Sequence, residues 1–139
     1  MKHTGRKGWQ ASVKDTWSLD EALSPIIAAG LRKFLEQEDK LGIPGLLYDE
    51  SADDQLQADE WVRIVKAMLY AFEEGNRPDM EDYDFDYVMD LETGPPGGFT
   101  LEHTNEEVYQ QYRADERTYE ALRQEGLDYF AKYFKCLWW

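Results

Sequence analysis

The stretch that most constrains this chain is its last third, residues 104–139. It opens with Thr104-Asn105-Glu106-Glu107, a capping-box pattern in which Thr104 and Glu107 satisfy each other's end of a nascent helix. It then runs without proline to Trp139. Val108, Tyr112, Tyr119, Leu122, Phe130, Tyr133 and Leu137 recur at steps of three, four or their sums, so they share one helical face. Tyr129, Phe130, Tyr133, Phe134, Trp138 and Trp139 crowd its end. A helix this aromatic needs cover, either from the rest of the chain or from a partner. The Trp138-Trp139 pair closes the monomer's core or docks into a second subunit, and so apolar a helix end favours self-association.

A length of 139 residues suits one domain with one core. Apolar residues make up 42% and charged ones 32%, a globular composition. Five Trp, nine Tyr and six Phe let a small core form from few residues, since each large aromatic buries roughly 150–250 Å². The net charge of -14 disfavours nucleic acid as a partner, because affinity for a phosphate backbone needs clustered Lys and Arg. It favours a basic partner instead. Cys136 is the only cysteine, and the basic N-terminal residues lead into no apolar run. A cytoplasmic, membrane-free protein without a signal peptide is the expectation.

Residues 1–15 carry Lys2, Arg6, Lys7 and Lys14 and read as a basic, flexible tail before a single helical domain at 16–139. Trp17-Ser18-Leu19-Asp20-Glu21 is a second capping box, with Ser18 as N-cap. Pro25 follows too soon for one uninterrupted helix, so the spacing predicts a short turn at 19–23 and a helix from 25 to about 38. Ile27, Leu31, Phe34 and Leu35 form its inner face. Gly42, Pro44, Gly45 and a polar run signal a loop. A helix over about 57–74 follows, with Trp61, Ile64, Val65, Met68 and Phe72 as its apolar stripe and Gly75 as its stop. Residues 76–104 are acidic, broken by Gly94-Pro95-Pro96-Gly97-Gly98, and read as irregular. Tyr83, Phe85 and Tyr87 alternate with Asp82, Asp84 and Asp86, which suits either a short strand or an acidic loop pinned by aromatics. The fold expected is mainly α, a small bundle of about three main helices with a long acidic irregular insertion.

Catalytic chemistry finds little footing. An EF-hand counted from Asp82 puts Tyr87 where Gly is needed and Thr93 where Glu is needed, so that motif fails. Glu73, Glu74, Asp79, Glu106 and Glu107 are candidates for a carboxylate–Mg²⁺ nucleotide hydrolase, but Glu73 and Glu74 are adjacent rather than spaced along one helix face. Only His3 and His103 offer an imidazole base, and Cys136 sits in the aromatic helix, where a buried thiol is inert. No catalytic residue, metal or cofactor is assigned. Binding is the better class. Arg32, Lys33, Arg63, Lys66, Lys132 and Lys135 lie beside apolar stripes, where they either snorkel at the core's edge or hold the phosphates of a stacked, nucleotide-type anion. The residues assigned to ligand or partner binding are Arg32, Lys33, Trp61, Arg63, Lys132, Tyr133 and Trp138.

Three segments together resemble a family of small, largely uncharacterised accessory proteins of tailed bacteriophages and prophages. They are Asp15-Thr16-Trp17-Ser18-Leu19-Asp20 running on to Gly30-Leu31-Arg32-Lys33-Phe34; Glu60-Trp61-Val62-Arg63-Ile64-Val65-Lys66-Ala67-Met68 with Ala71-Phe72-Glu73; and Gly126-Leu127-Asp128-Tyr129-Phe130-Ala131-Lys132-Tyr133-Phe134 ending in Leu137-Trp138-Trp139. The resemblance carries no catalytic residues. It implies an accessory protein of the bacterial host cytoplasm that neutralises a host defence protein or a nucleotide signal, and the acidic stretch at 76–104 departs from the family. The functional expectation is therefore non-enzymatic capture of a host factor, either a host protein or a nucleotide-type ligand, by a homo-oligomer joined through the last helix. The alternatives are an acidic DNA mimic that blocks a nucleic-acid-binding host protein, and a carboxylate–Mg²⁺ nucleotide hydrolase.

Overall fold

The computed structural model describes residues 1–3, 5, 8–37, 42–92 and 94–137. The chain is mainly helical. Its described residues hold three α-helices, α1 (Leu19–Leu35), α2 (Asp54–Phe72) and α3 (Glu106–Tyr133). Two short antiparallel ladders accompany them, β1 (Lys2–His3) with β2 (Trp9–Gln10) and β3 (Tyr87–Asp90) with β4 (Thr100–His103). Two compact units result, one of Met1–Glu74 with Leu122–Trp139 and one of Gly75–Ala121. No helix among the described residues is long and apolar enough to cross a membrane.

In the first unit, Pro25 does not divide α1 as its position led us to expect. The helix runs unbroken from Leu19 through Pro25. As the seventh residue of the helix, Pro25 removes one rung, the bond its N–H would have made to the Glu21 carbonyl. Ser24 Oγ donates to Asp20 O at 2.7 Å, an additional bond in the turn before the proline that leaves the Glu21 carbonyl without its usual donor. Ser18 does occupy the N-cap position, but its side chain makes no cap hydrogen bond. The second helix likewise starts earlier than its apolar pattern indicated. Asp53 caps it, its carboxylate accepting from Leu56 N at 2.9 Å, so residues 54–56, ahead of the expected start at about 57, are helical.

The core of this unit gathers Leu31 and Phe34 from α1, Trp61, Ile64, Val65 and Met68 from α2, and Cys136 from the 3₁₀ turn Phe134–Cys136 that follows α3. Val65 and Met68 are wholly buried. These are the faces the helical periodicity predicted, with Phe72 half-buried and Ala28 and Ala71 added. Phe72 meets Phe130 edge-on, centroids 4.9 Å apart. A close approach comes at Gly126. A Cβ there would lie 2.2 Å from the Ala67 carbonyl oxygen and 2.7 Å from Ala71 Cβ. Leu122, which the spacing placed on the buried face of α3, is 43% exposed. Hydrophobicity marks Leu122 and is blind to Gly126, because the backbones meet only where a side chain is missing. At the N-terminal end, within the stretch expected to be a tail, Lys2–His3 pairs with Trp9–Gln10, and the Met1 ammonium lies 2.9 Å from Asp15 Oδ1.

In the second unit the acidic stretch is partly regular. The alternation at Tyr83, Phe85 and Tyr87 is not a strand. Met80–Asp82 forms a 3₁₀ turn, and the ladder begins at Tyr87. Phe85 is instead buried among Tyr87, Tyr109 and Tyr112, at centroid distances of 5.3–5.8 Å. The capping box expected at Thr104 is also replaced. Thr104 Oγ1 accepts from Asp86 N at 2.8 Å and Thr104 N donates to Asp86 O, so this side chain closes the hairpin and is not free to cap α3. Asn105 takes the helix-leading position at φ 50°, a left-handed conformation asparagine tolerates, and its amide donates to Asp84 O. Tyr83 Oη donates to Asp115 Oδ2 at 2.7 Å, which pushes the phenol up to about 12.

Candidate functional site

Within the first unit, α1 and the end of α3 leave an open apolar groove of about 590 Å³. One wall is Ile27, Gly30, Leu31 and Phe34; the other is Phe130, Phe134 and Leu137. Lys33 and Gln37 supply the polar lining. The volume falls within the ~300–1,000 Å³ typical of ligand sites. Helical periodicity explains the walls: Ile27, Leu31 and Phe34 continue the inner face of α1, while Phe130, Phe134 and Leu137 follow one another at steps of four and three. Phe134 is 61% exposed and packs edge-on against Phe130.

Gly30 is the unusual member. A glycine inside a helix costs roughly 0.5–1 kcal/mol relative to alanine. At Gly126 the chain gets close helix packing in return. At Gly30 a Cβ would meet nothing within 4 Å. No packing within this chain, among the described residues, accounts for the glycine at that position.

The seven residues expected to bind a ligand divide into a cluster and outliers. Trp61, Arg63, Lys132 and Tyr133 come together around Tyr129. Trp61 and Tyr133 meet edge-to-face at 5.8 Å, the Arg63 guanidinium lies 5.6 Å from the Tyr129 ring centre, and Lys132 Nζ lies 4.8 Å from that of Tyr133. Arg63 is committed within the chain. Its Nε and Nη2 donate to the two oxygens of Glu60 at 2.8 and 2.7 Å, and Nη2 also donates to Tyr129 Oη at 3.0 Å. These bonds, Glu60's first, raise the guanidinium's affinity for its proton and lower that of Glu60. The ammonium of Lys132 is raised by its hydrogen bond with Tyr133. Trp61 is only 2% exposed, so neither ring face is open to a stacked base, and its indole N–H has no partner among the described residues. It does line, with Tyr133, Leu47, Ile64 and Glu60, a second hollow of about 380 Å³ whose charged member is an acid.

Arg32 stands apart from that cluster. Its Nε and Nη2 donate to Glu73 Oε1 at 3.0 and 2.9 Å, and Glu73 follows Arg63 by ten positions, about 15 Å along a helix. Lys33 lines the groove and pairs with Glu36, the residue that follows α1. Trp138 and Trp139 lie outside the described residues. Among those residues, no group of three or more His, Cys, Asp or Glu side chains is placed to hold a metal ion. Sequence reasoning missed Gly30, Phe130 and Phe134 as site residues. The available signal was a glycine inside an amphipathic helix with good formers on both sides. Comparison of the chain with family models, curated proteins and solved structures gives no match.

Proposed function

We propose that the protein is a non-enzymatic binding protein that captures another protein by seating one of its helices in the groove between α1 and the end of α3. The observation that carries this reading is Gly30. It leaves a gap on the groove wall that no described residue fills. Small residues on a helix surface let a second helix approach closely, and an apolar groove receives an amphipathic helix by its hydrophobic face. In this reading α1, α2 and the last part of α3 act as a small three-helix bundle, and residues 76–104 are an acidic insertion. The phage resemblance supplies the setting, a host defence protein as target in the bacterial cytoplasm.

A protein target is better supported than a nucleotide. Arg32, Lys33 and Arg63 each already face a carboxylate of this chain, and recruiting any of them to a phosphate would break a formed pair. The ring of Trp61 is likewise closed to stacking.

The test uses Gly30→Trp, which fills the groove from a position with room for a side chain, and Lys66→Trp as an exposed control on α2. Capture of a host protein by the wild type and by Lys66→Trp, and its loss in Gly30→Trp, is the expected result. Retained capture by Gly30→Trp refutes the groove. A thermal shift with nucleotides, or metal-dependent phosphate release, refutes protein capture in favour of the nucleotide or hydrolase reading. Doubling of the mass in light scattering, reversed by Gly30→Trp, assigns the groove to a second copy of this chain.

A further inference from the structure

The geometry points to the β3–β4 hairpin as a second docking surface, one that takes a cationic, apolar-faced segment of another protein. Tyr87 pairs with His103 and Met89 with Leu101 across the ladder. Cross-strand partners project to the same side and alternate residues share a face, so these four side chains form one face. Val88, Asp90, Thr100 and Glu102 form the other. The first face is therefore apolar and aromatic, the second largely polar.

The two ends of the apolar face differ. At its base, His103 stacks on Tyr109 with ring centres 3.6 Å apart, and Tyr87 packs against Phe85 and Tyr109. Toward the tip nothing described covers it. Met89 is 55% exposed and Leu101 60%, and just beyond the ladder Leu91 is 72% exposed and Phe99 50%. An isolated two-stranded hairpin is marginal in water, so large apolar side chains at its tip cost solubility without adding a core.

The tip is nonetheless built to a definite shape. Gly98 N donates to Pro95 O at 2.8 Å, and Gly97 has φ 76°. A Cβ at Gly94 would sit 2.6 Å from Phe99 Cα, so the chain closes on itself there only because the residue is glycine.

Charge selects the occupant. Residues 78–112 include a run of carboxylates and no Lys or Arg. A second copy would bring the same acidic stretch and a net charge of -14 to the contact, and it is repelled. A segment carrying Lys or Arg beside apolar residues satisfies both features. Its side chains cover Met89, Leu91, Phe99 and Leu101 while its cations are drawn by the acids adjacent in the chain, Asp90, Glu92 and Glu102. This surface belongs to the second unit and does not depend on the groove at Gly30.

The experiment measures the affinity of the full chain for a synthetic peptide alternating Lys with Leu, and for its Glu-with-Leu counterpart, by fluorescence anisotropy. The Lys peptide is expected to bind, more weakly as salt is raised, and the Glu peptide is not. Phe99→Thr with Leu101→Thr keeps strand-forming residues at two exposed positions. The double variant is expected to bind at least about tenfold more weakly, because burying one large apolar side chain is worth a decade or more in Kd. Its circular dichroism is expected to match the wild type. Equal binding of the two peptides, binding of neither, or unchanged affinity in the double variant overturns the proposal. So does a wild-type dimer in light scattering that dissociates in the double variant, which gives the face to a second copy. Gly30→Trp is expected to leave peptide binding unchanged, so failure of the groove and failure of the hairpin are read separately.

Discussion

Replacing Gly126 by alanine is the most direct test of how α2 and α3 meet in the first unit. The added methyl carbon would lie 2.2 Å from the Ala67 carbonyl oxygen and 2.7 Å from Ala71 Cβ. Ordinary contact begins near 3.5 Å. The helices must therefore separate locally by about 1 Å, since the nearest obstacle is backbone and cannot rotate away. Overpacking of this kind typically costs ~1–3 kcal/mol, and a backbone obstacle belongs at the upper end. Alanine's better helix propensity returns up to ~1 kcal/mol. The net expectation is a loss of ~1–2 kcal/mol, read as a lower urea midpoint with an unchanged slope. Gly30→Ala is the internal control, because its methyl group meets nothing within 4 Å. It should gain ~0.5–1 kcal/mol from propensity alone. If Gly126→Ala is as stable as the wild type, or if Gly30→Ala is less stable, the assignment of the two glycines is wrong.

Other outcomes follow from single groups. Tyr83, bonded to Asp115, is expected to ionise only near pH 12 in an ultraviolet titration. Its folded value lies above the ordinary 10, so the stability it contributes is complete below pH 10 and declines as pH rises towards 12. Tyr83→Phe should remove that decline, and an unchanged high-pH profile would refute the bond. Asp15 accepts from the backbone N–H of Ser12 at 2.6 Å, and also from the Met1 ammonium and the Ser12 hydroxyl, which together hold its carboxyl at about 2. A depressed carboxylate stabilises above its unfolded value, so this contribution is lost as pH falls from about 4 towards 2. Carboxyl titration by NMR should give that value in the wild type and a higher one in Ser12→Ala. Cys136, 6% exposed in the core, should react with a thiol reagent only at the rate at which the chain opens, and labelling as fast as a free thiol would contradict its burial.

The sequence determined the two faces that make the first core. Trp61, Ile64, Val65 and Met68 on one helix, and Leu31 and Phe34 on another, were legible because a period of 3.6 residues with large apolar side chains admits one buried side. It also marked residues 76–104 as a departure from helix through their glycines and prolines. Tertiary structure decided what local rules left open. Thr104 could cap α3 or close a hairpin, and Asp86 opposite it settled the choice. Pro25 could break α1 or ride within its first turns, and the packing of Leu31 and Phe34 against α2 outweighed one missing hydrogen bond. Arg32 and Arg63 were both assigned to ligand binding, and only the tertiary structure shows Arg32 bonded to Glu73 and Arg63 to Glu60 and Tyr129. The two glycines show the division most plainly. Both look alike along the chain, and only the space around each says that Gly126 is filled by a neighbouring helix while Gly30 is met by no described residue.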